Sequence, residues 1–372
     1  MTFRTWCPSR SEIARWLQTA TAARYDTRRS RDLSGGWSQH EEGCSNPTVI
    51  QVVKDDKSAL RANLSPDQQA LLDARLGRPR GSGNHEPPGK ADKDCSAQVI
   101  PLQTKGSRTP FFCIHAAGGG VLCYLNLARH FRADQPFYGV AGPGPDCTAQ
   151  PHYRIEEMAE HYVESIRKIQ PQGPFYLGGW SMGGIIAYEM ARQFLLVHER
   201  VALVAFLDSW VPVRGHTKTE ESRTLDSLPD TLVHVFGRPL PVSADSLREL
   251  GPDERLEYIL EKAIEAHVVP PNFGTARIQR LIEIFETNVK ALEAYEPPID
   301  SLPRDTRVVS FLARERAVRG RDSYRSAGDL IPGVATQTVP GNHLSMLYEP
   351  HVAVVARQLT KCLREVQESA GR

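Results

Sequence analysis

The sequence predicts an α/β fold, a mostly parallel sheet with helices on both faces, and three observations carry that expectation. From about residue 99 onward, short continuous apolar runs alternate with amphipathic stretches. A strand reads as a continuous apolar run when helices cover both faces of its sheet, whereas a half-solvated strand alternates. The pattern stops after Asp208 for about ninety residues of helical periodicity broken by prolines, then resumes. Finally, YLGGWSMGGIIAYEMA (176–191) runs an apolar strand through four glycines around one serine and straight into a helix.

The elements follow in order. TPFFCIH (109–115) reads as a buried strand, LCYLNLARHF (122–131) as a helix and PFYGV (136–140) as a strand. YRIEEMAEHYVESIRKIQ (153–170) has the apolar spacing of a long amphipathic helix. PFYLGGW (174–180) and VALVAFLD (201–208) are strands flanking the helix MGGIIAYEMARQFLLV (182–197). Helical segments such as ERLEYILEKAIEAHV and ARIQRLIEIFETNVKALEAY fill the interruption, which is expected to form a lid over about residues 210–298. TRVVSFLA (306–313), ATQTVPGNH (335–343) and a closing helix in EPHVAVVARQLTKCLREV complete a domain expected to span 99–372.

The first hundred residues differ. SEIARWLQTA places Ile13, Trp16, Leu17 and Ala20 on one helical face. LSPDQQALLDARLG carries Ser65 as N-cap, Pro66 at the first helical position, Gln68 three residues after the cap and Gly77 as a stop. Between these helices, residues 21–48 are charged and aperiodic, so 1–76 is expected to be a partly disordered helical segment. GRPRGSGNHEPPGKADKDCSAQ (77–98) reads as a flexible linker.

Bulk properties narrow the function. A formal net charge of +1 gives no electrostatic reason to bind nucleic acid or an anionic membrane. Seven cysteines, with no C-x-x-C pair, argue against a disulfide framework or zinc ribbon and fit a reducing cytosol. The N-terminus lacks the apolar core of a secretory signal and no apolar run is long enough to span a membrane, so a cytoplasmic location is expected.

Gly179-Trp180-Ser181-Met182-Gly183 fits G-x-S-x-G, in which the serine sits on a strained strand-to-helix turn. The turn exposes the hydroxyl above the sheet and aims the free N–H groups of the helix start at developing negative charge. A serine hydroxyl needs a base at neutral pH. Of the twelve histidines, His343 follows the last apolar β-like segment and precedes the closing helix, the place for a base in such a fold. His161 and His198 read as surface or packing residues, and His115 as shaping the loop opposite Ser181. The acid that orients the imidazole is either Asp208, which ends VALVAFLD at the sheet's carboxyl edge, or Glu315 or Asp322, which follow the strand after the lid. Asp208 is preferred, because Glu315 lies in the charge run Arg314-Glu315-Arg316. The oxyanion donors are expected to be the N–H groups of Met182 and of Ala117 in HAAGGG, with Ala116 as the near alternative. HAAGGG is not a dinucleotide fingerprint, since Cys123 stands where the third glycine would be, and no P-loop motif occurs, so no cofactor of its own is expected.

FFCIHAAGGGVLCYLNLARHF, QPFYGV, GPFYLGGWSMGGIIAYEMARQ, VALVAFLDS, NVKALEAYEPP and VPGNHLSMLYEPHVAVVARQL resemble the thioesterase domains that terminate polyketide and nonribosomal peptide synthases, which have the α/β-hydrolase fold. The resemblance covers most of residues 99–367. It implies Ser181 as nucleophile, His343 as base and Asp208 as acid. It also implies a substrate held as a thioester on the phosphopantetheine arm of an acyl or peptidyl carrier protein or synthase module. Release would be by hydrolysis or cyclisation. SEIARWLQTA resembles the opening helix of a carrier, yet no G-x-D-S-L-like stretch follows, so 1–76 is read as a remnant carrier or docking region, with a disordered leader as the alternative. The competing functional readings are a general serine esterase or lipase, an editing thioesterase, and a non-catalytic docking protein on a hydrolase fold.

Overall fold

The computed structural model describes residues 97–370 other than 132, 148–153, 213–227, 299–301, 304, 316–323 and 332. The two expected N-terminal helices, the 1–76 segment and the linker up to residue 96 lie outside those residues.

Seven strands form one sheet: β1 (Gln98–Gln103), β2 (Phe111–Ile114), β3 (Phe137–Ala141), β4 (Phe175–Trp180), β5 (Val201–Leu207), β7 (Arg307–Ala313) and β9 (Ala335–Val339). Their spatial order is β1-β3-β2-β4-β5-β7-β9. β1 pairs antiparallel with β3, and every other pairing in this sheet is parallel. β1 begins inside the stretch read as linker, and Ala97 just before it is buried. Pro101 is tolerated there because β1 is an edge strand with a solvent-side N–H position to spare.

Alternate residues of each strand feed two cores. Phe111, Tyr176, Trp180, Leu203 and Phe311 point to one face. There they pack with Tyr124, with Leu127 of α1 (Leu125–Arg129), and with Val355 and Leu359 of α9 (Val352–Ala370). Phe112, Leu177, Val204 and Phe206 point to the other. They meet Met158 and Tyr162 of α2 (Ile155–Arg167), and Ile186 and Tyr188 of α3 (Met182–Leu196). All residues of β4 and β5 are buried, which is why both read as unbroken apolar runs.

The helix expected over 122–131 is a 3₁₀ turn, Leu122–Tyr124, followed by the short α1. The interruption after β5 holds four described helices: α4 (Leu228–Phe236), α5 (Ala244–Arg248), α6 (Pro252–Glu265) and α7 (Thr275–Ala294). It opens differently from expectation. β6 (Trp210–Pro212) pairs antiparallel with β8 (Tyr324–Ser326), which leads into α8 (Ala327–Leu330), so residues 210–212 belong to a two-stranded sheet. The end of α7 is anchored to the core: Tyr295 Oη donates to the fully buried Glu189 carboxylate at 2.8 Å, and Tyr188 Oη donates to the Pro298 carbonyl at 2.6 Å.

Cys113, Cys123 and Cys362 are buried thiols, whereas Cys147 is disulfide-bonded. Among the described residues no helix is long and apolar enough to cross a membrane.

Candidate active site

The carboxyl ends of β2, β4, β5 and β9 carry, in turn, the 115–119 loop, Ser181, Asp208 and the loop with His343. That is the edge where open α/β sheets bind their ligands.

Ser181 joins β4 directly to α3 with φ 57° and ψ −125°. An L-residue occupies that region only under strain, held there by its surroundings. The surroundings are backbone. A Cβ on Gly179 would lie 2.2 Å from the Gly183 carbonyl carbon, and a Cβ on Gly183 would lie 2.2 Å from the Ile114 carbonyl oxygen. The glycines thus let the first turn of α3 lie against β4 on one side and the end of β2 on the other. The Ser181 N–H donates to the Leu207 carbonyl at 2.9 Å, which fixes the turn beside Asp208.

Asp208 also has positive φ, 48°, a conformation that aspartate tolerates better than most residues. Its N–H donates to the Phe311 carbonyl at 2.8 Å. One carboxylate oxygen accepts the Ala313 N–H at 2.9 Å, and the other accepts His343 Nδ1–H at 2.7 Å. Burial pushes this carboxyl upward. The hydrogen bond and charge of His343, the Ala313 N–H and the Trp210 side chain outweigh burial and hold it below the ordinary carboxylate range. Asp208 is therefore an ionised, fixed acceptor, and Nε2 is the His343 ring nitrogen that does not face it.

His343 is held by its backbone too, since Trp180 Nε1 donates to its carbonyl at 2.9 Å. Asn342 shapes the approach by accepting the Leu344 and Ser345 N–H groups at 3.0 and 2.8 Å.

The 115–119 loop packs against the start of α3. Nδ1–H of the buried His115 donates to the Ala116 carbonyl at 2.7 Å, and the Gly119 N–H donates to the same carbonyl at 2.9 Å. His115 Nε2 accepts from Tyr162 Oη at 2.5 Å. In a trans peptide the N–H points opposite to the C=O, so two bonds on the Ala116 carbonyl fix the direction of the Ala117 N–H. From the insertion, buried Asn288 of α7 donates to the Ala117 carbonyl at 2.7 Å. Beneath them, Tyr124 Oη donates to the Ile114 carbonyl at 2.6 Å and accepts the Trp180 N–H at 2.9 Å, tying this loop to the serine turn.

The structure thus brings Ser181, Met182, Asp208, His343 and the Ala116–Ala117 loop together. It does not bring Glu315, which is exposed and donates its backbone N–H to the Gly341 carbonyl. Asp322 lies outside the described residues. His161 accepts the N–H of Ala97, just before edge strand β1, at 2.9 Å, as a packing residue would.

One residue at the site escaped the sequence. His234 of α4 stacks on Trp180 with centroids 4.8 Å apart and planes 4° apart, and its Nε2 lies 3.4 Å from His343 Nε2. The Phe285 ring lies 5.8 Å from it, tilted by 52°. Burial between these rings, with the neighbouring His343 charge, pushes His234 down to about 4. LPDTLVHVF offers a histidine in a short apolar helix, and nothing in it says which way the helix docks.

Comparison with known proteins follows the same line. The chain is 40% identical over 288 residues to a non-reducing polyketide synthase of Aspergillus ustus, covering 72% of this chain and 13% of the synthase. The structure of a four-domain nonribosomal peptide synthetase bound to AMP and glycine matches with a TM-score of 0.60 at 27% identity, over 71% of this chain and 20% of the other. The Vlm2 thioesterase domain shares the fold, with a TM-score of 0.54 at 24% identity, over 72% of this chain and 98% of that domain. The chain spans 2% of the length of a curated malpibaldin synthetase of Mortierella alpina and 28% of that of an atromentin synthetase of Paxillus involutus. The family model of the thioesterase domain matches residues 109–362, with the α/β-hydrolase fold described above, and the chain belongs to that family.

Proposed function

We propose that this chain releases an acyl, polyketide or peptidyl chain from the phosphopantetheine arm of a carrier protein, through an acyl ester on Ser181. The observation that carries this reading is the 2.7 Å bond between His343 Nδ1 and Asp208, residues 135 apart in sequence, beside a serine held at φ 57°. An ionised acceptor on Nδ1 leaves the Nε2 lone pair to take the serine proton. Ser181 Oγ then attacks the thioester carbonyl. The Met182 and Ala117 N–H groups hold the oxyanion. The thiol departs with the proton from His343, and water, or a hydroxyl or amine of the chain itself, resolves the ester. The insertion, α4 to α7, serves as the lid, and its fit around the acyl chain decides whether water reaches the ester. A carrier protein or synthase module is the partner. The thioesterase family and the synthase relatives support this substrate class over oxyesters.

The test is intact-protein mass after exposure to acyl-pantetheine thioesters and matched oxyesters, for wild type and Ser181→Ala. Acylation by thioesters that disappears in Ser181→Ala is expected. Labelling by oxyesters alone would move the activity to a general esterase. No labelling by either would overturn the catalytic reading.

A further inference from the structure

The contact between His234 and His343 raises a question of proton count. Asp208 offers only a carboxylate to His343 Nδ1, so that nitrogen must carry hydrogen. His234 Nδ1 faces the Asp230 carbonyl at 3.0 Å, so it too must carry hydrogen. In two neutral rings, each Nε2 would then present a lone pair, and the two would oppose one another across 3.4 Å. One added proton turns that repulsion into a hydrogen bond. It belongs on His343, whose charge faces the Asp208 carboxylate, and not on His234, which burial holds neutral down to about 4. The surrounding groups agree. Trp180 and Phe285 are neutral, and Asp230, whose carboxyl burial raises, is drawn the other way by the His343 charge.

The docking of α4 is equally specific. A Cβ on Gly118 would lie 1.8 Å from the His234 carbonyl oxygen, so the α4 backbone rests on the oxyanion loop. At the end of α4, Tyr348 Oη donates to the Gly237 carbonyl at 2.9 Å. One helix therefore covers both the base and the loop that would hold the oxyanion.

We propose that His234 gates the base: with α4 docked, its Nε2 and that of His343 share one proton, which stops His343 from accepting the proton of Ser181. Withdrawal of α4 frees the site. The shared proton passes to solvent, His343 keeps its Nδ1–H on Asp208, and its Nε2 lone pair turns to Ser181. This rests on the Ser181–His343–Asp208 reading above, and it makes the arrival of the acyl-carrier arm under α4 the event that switches the base on.

The experiment is the rate of Ser181 labelling by an alkyl fluorophosphonate between pH 5 and 9, on the full chain. Wild type is compared with His234→Phe, which keeps the stack without nitrogen, and His234→Leu, which offers His343 Nε2 neither donor nor acceptor. Both variants are expected to reach half-maximal labelling about one pH unit below wild type. One unit below the wild-type midpoint, they should label about five-fold faster. Thermal melts show which variants are folded, and either one suffices. A midpoint unchanged or raised in a folded variant overturns the gate. Ser181→Ala labelling as fast as wild type would instead overturn the triad reading beneath it, so the two failures are distinguishable.

Discussion

Replacing Asp208 by asparagine should separate orientation from mere presence of a polar group. The two carboxylate oxygens of Asp208 accept from different donors, Ala313 N–H at 2.9 Å and His343 Nδ1–H at 2.7 Å. An asparagine amide has one acceptor and one donor, so it can satisfy only one of them. Facing its oxygen to His343 would set its NH₂ against the buried Ala313 N–H, a cost of about 1–3 kcal/mol for the unsatisfied backbone group. Facing its oxygen to Ala313 instead lets its NH₂ donate to His343 Nδ1. The second arrangement costs the fold least, because imidazole can exchange tautomers. It puts hydrogen on Nε2 and removes the lone pair that Ser181 needs. Asp208→Asn should thus stay folded while losing roughly 10⁴-fold in turnover of an acyl-pantetheine thioester, the size expected for a base held in the wrong tautomer. Steady-state kinetics and a thermal melt decide it, with Glu315→Gln as the control expected to change turnover less than twofold. A folded Asp208→Asn within tenfold of wild type would refute the argument, and so would a large loss in Glu315→Gln.

Other perturbations test separate links. Ser181→Gly should raise the melting temperature, because relief of about 1–3 kcal/mol of backbone strain is worth roughly 2–4 °C per kcal/mol in a chain of this size; a drop would show the turn is not strained. Asn288→Ala removes the donor that holds the Ala117 carbonyl, and fluorophosphonate labelling should slow by about tenfold, the equivalent of about 1.4 kcal/mol, while an unchanged rate would show that the loop orients itself. Gly183→Ala drives a methyl into the Ile114 carbonyl and should cost more than about 4 kcal/mol, read as insoluble protein or a collapsed urea midpoint; a normal midpoint would refute the packing. His234 titrates near 6.5 when unfolded and about 4 when folded. Between those values the unfolded chain binds more protons, so stability should fall as pH drops from 6.5 toward 4. His234→Phe should remove that part of the slope in urea titrations, and an identical slope would refute the half-buried, neutral ring.

The sheet was legible because its strands are buried on both sides. β4 and β5 announce themselves as unbroken apolar runs, and the serine turn between β4 and α3 is written in its glycines. Asp208 could be found because it ends such a run. β1 was not, since QVIPLQ is only partly buried on an edge and carries a proline that reads as punctuation. β6 and β8 have three residues each and exist only as partners of one another, a pairing across more than a hundred residues that no local pattern encodes. His234 was missed for a related reason. Its role depends on a ring-to-ring distance set by how α4 sits on Trp180, whereas its own nine-residue helix carries no more than an apolar stripe. A chain-local pattern finds the strained serine turn, while the neighbours of His343 come from tertiary docking.

The anchoring of α7 has a practical side for anyone building hybrid enzymes from this family. Glu189 takes hydrogen bonds from Tyr295, Arg192 and Gln193, and they hold it ionised against its burial, which makes it a fully enclosed charge that tolerates no missing neighbour. A graft that imports a foreign insertion through residue 298 would bring the wrong residue against that charge. One that ends before Asn288 leaves the Ala117 clasp, Tyr295 and the Pro298 carbonyl in native hands. The natural seam for exchanging substrate preference between relatives therefore lies within α7, upstream of Asn288, and not at the helix end.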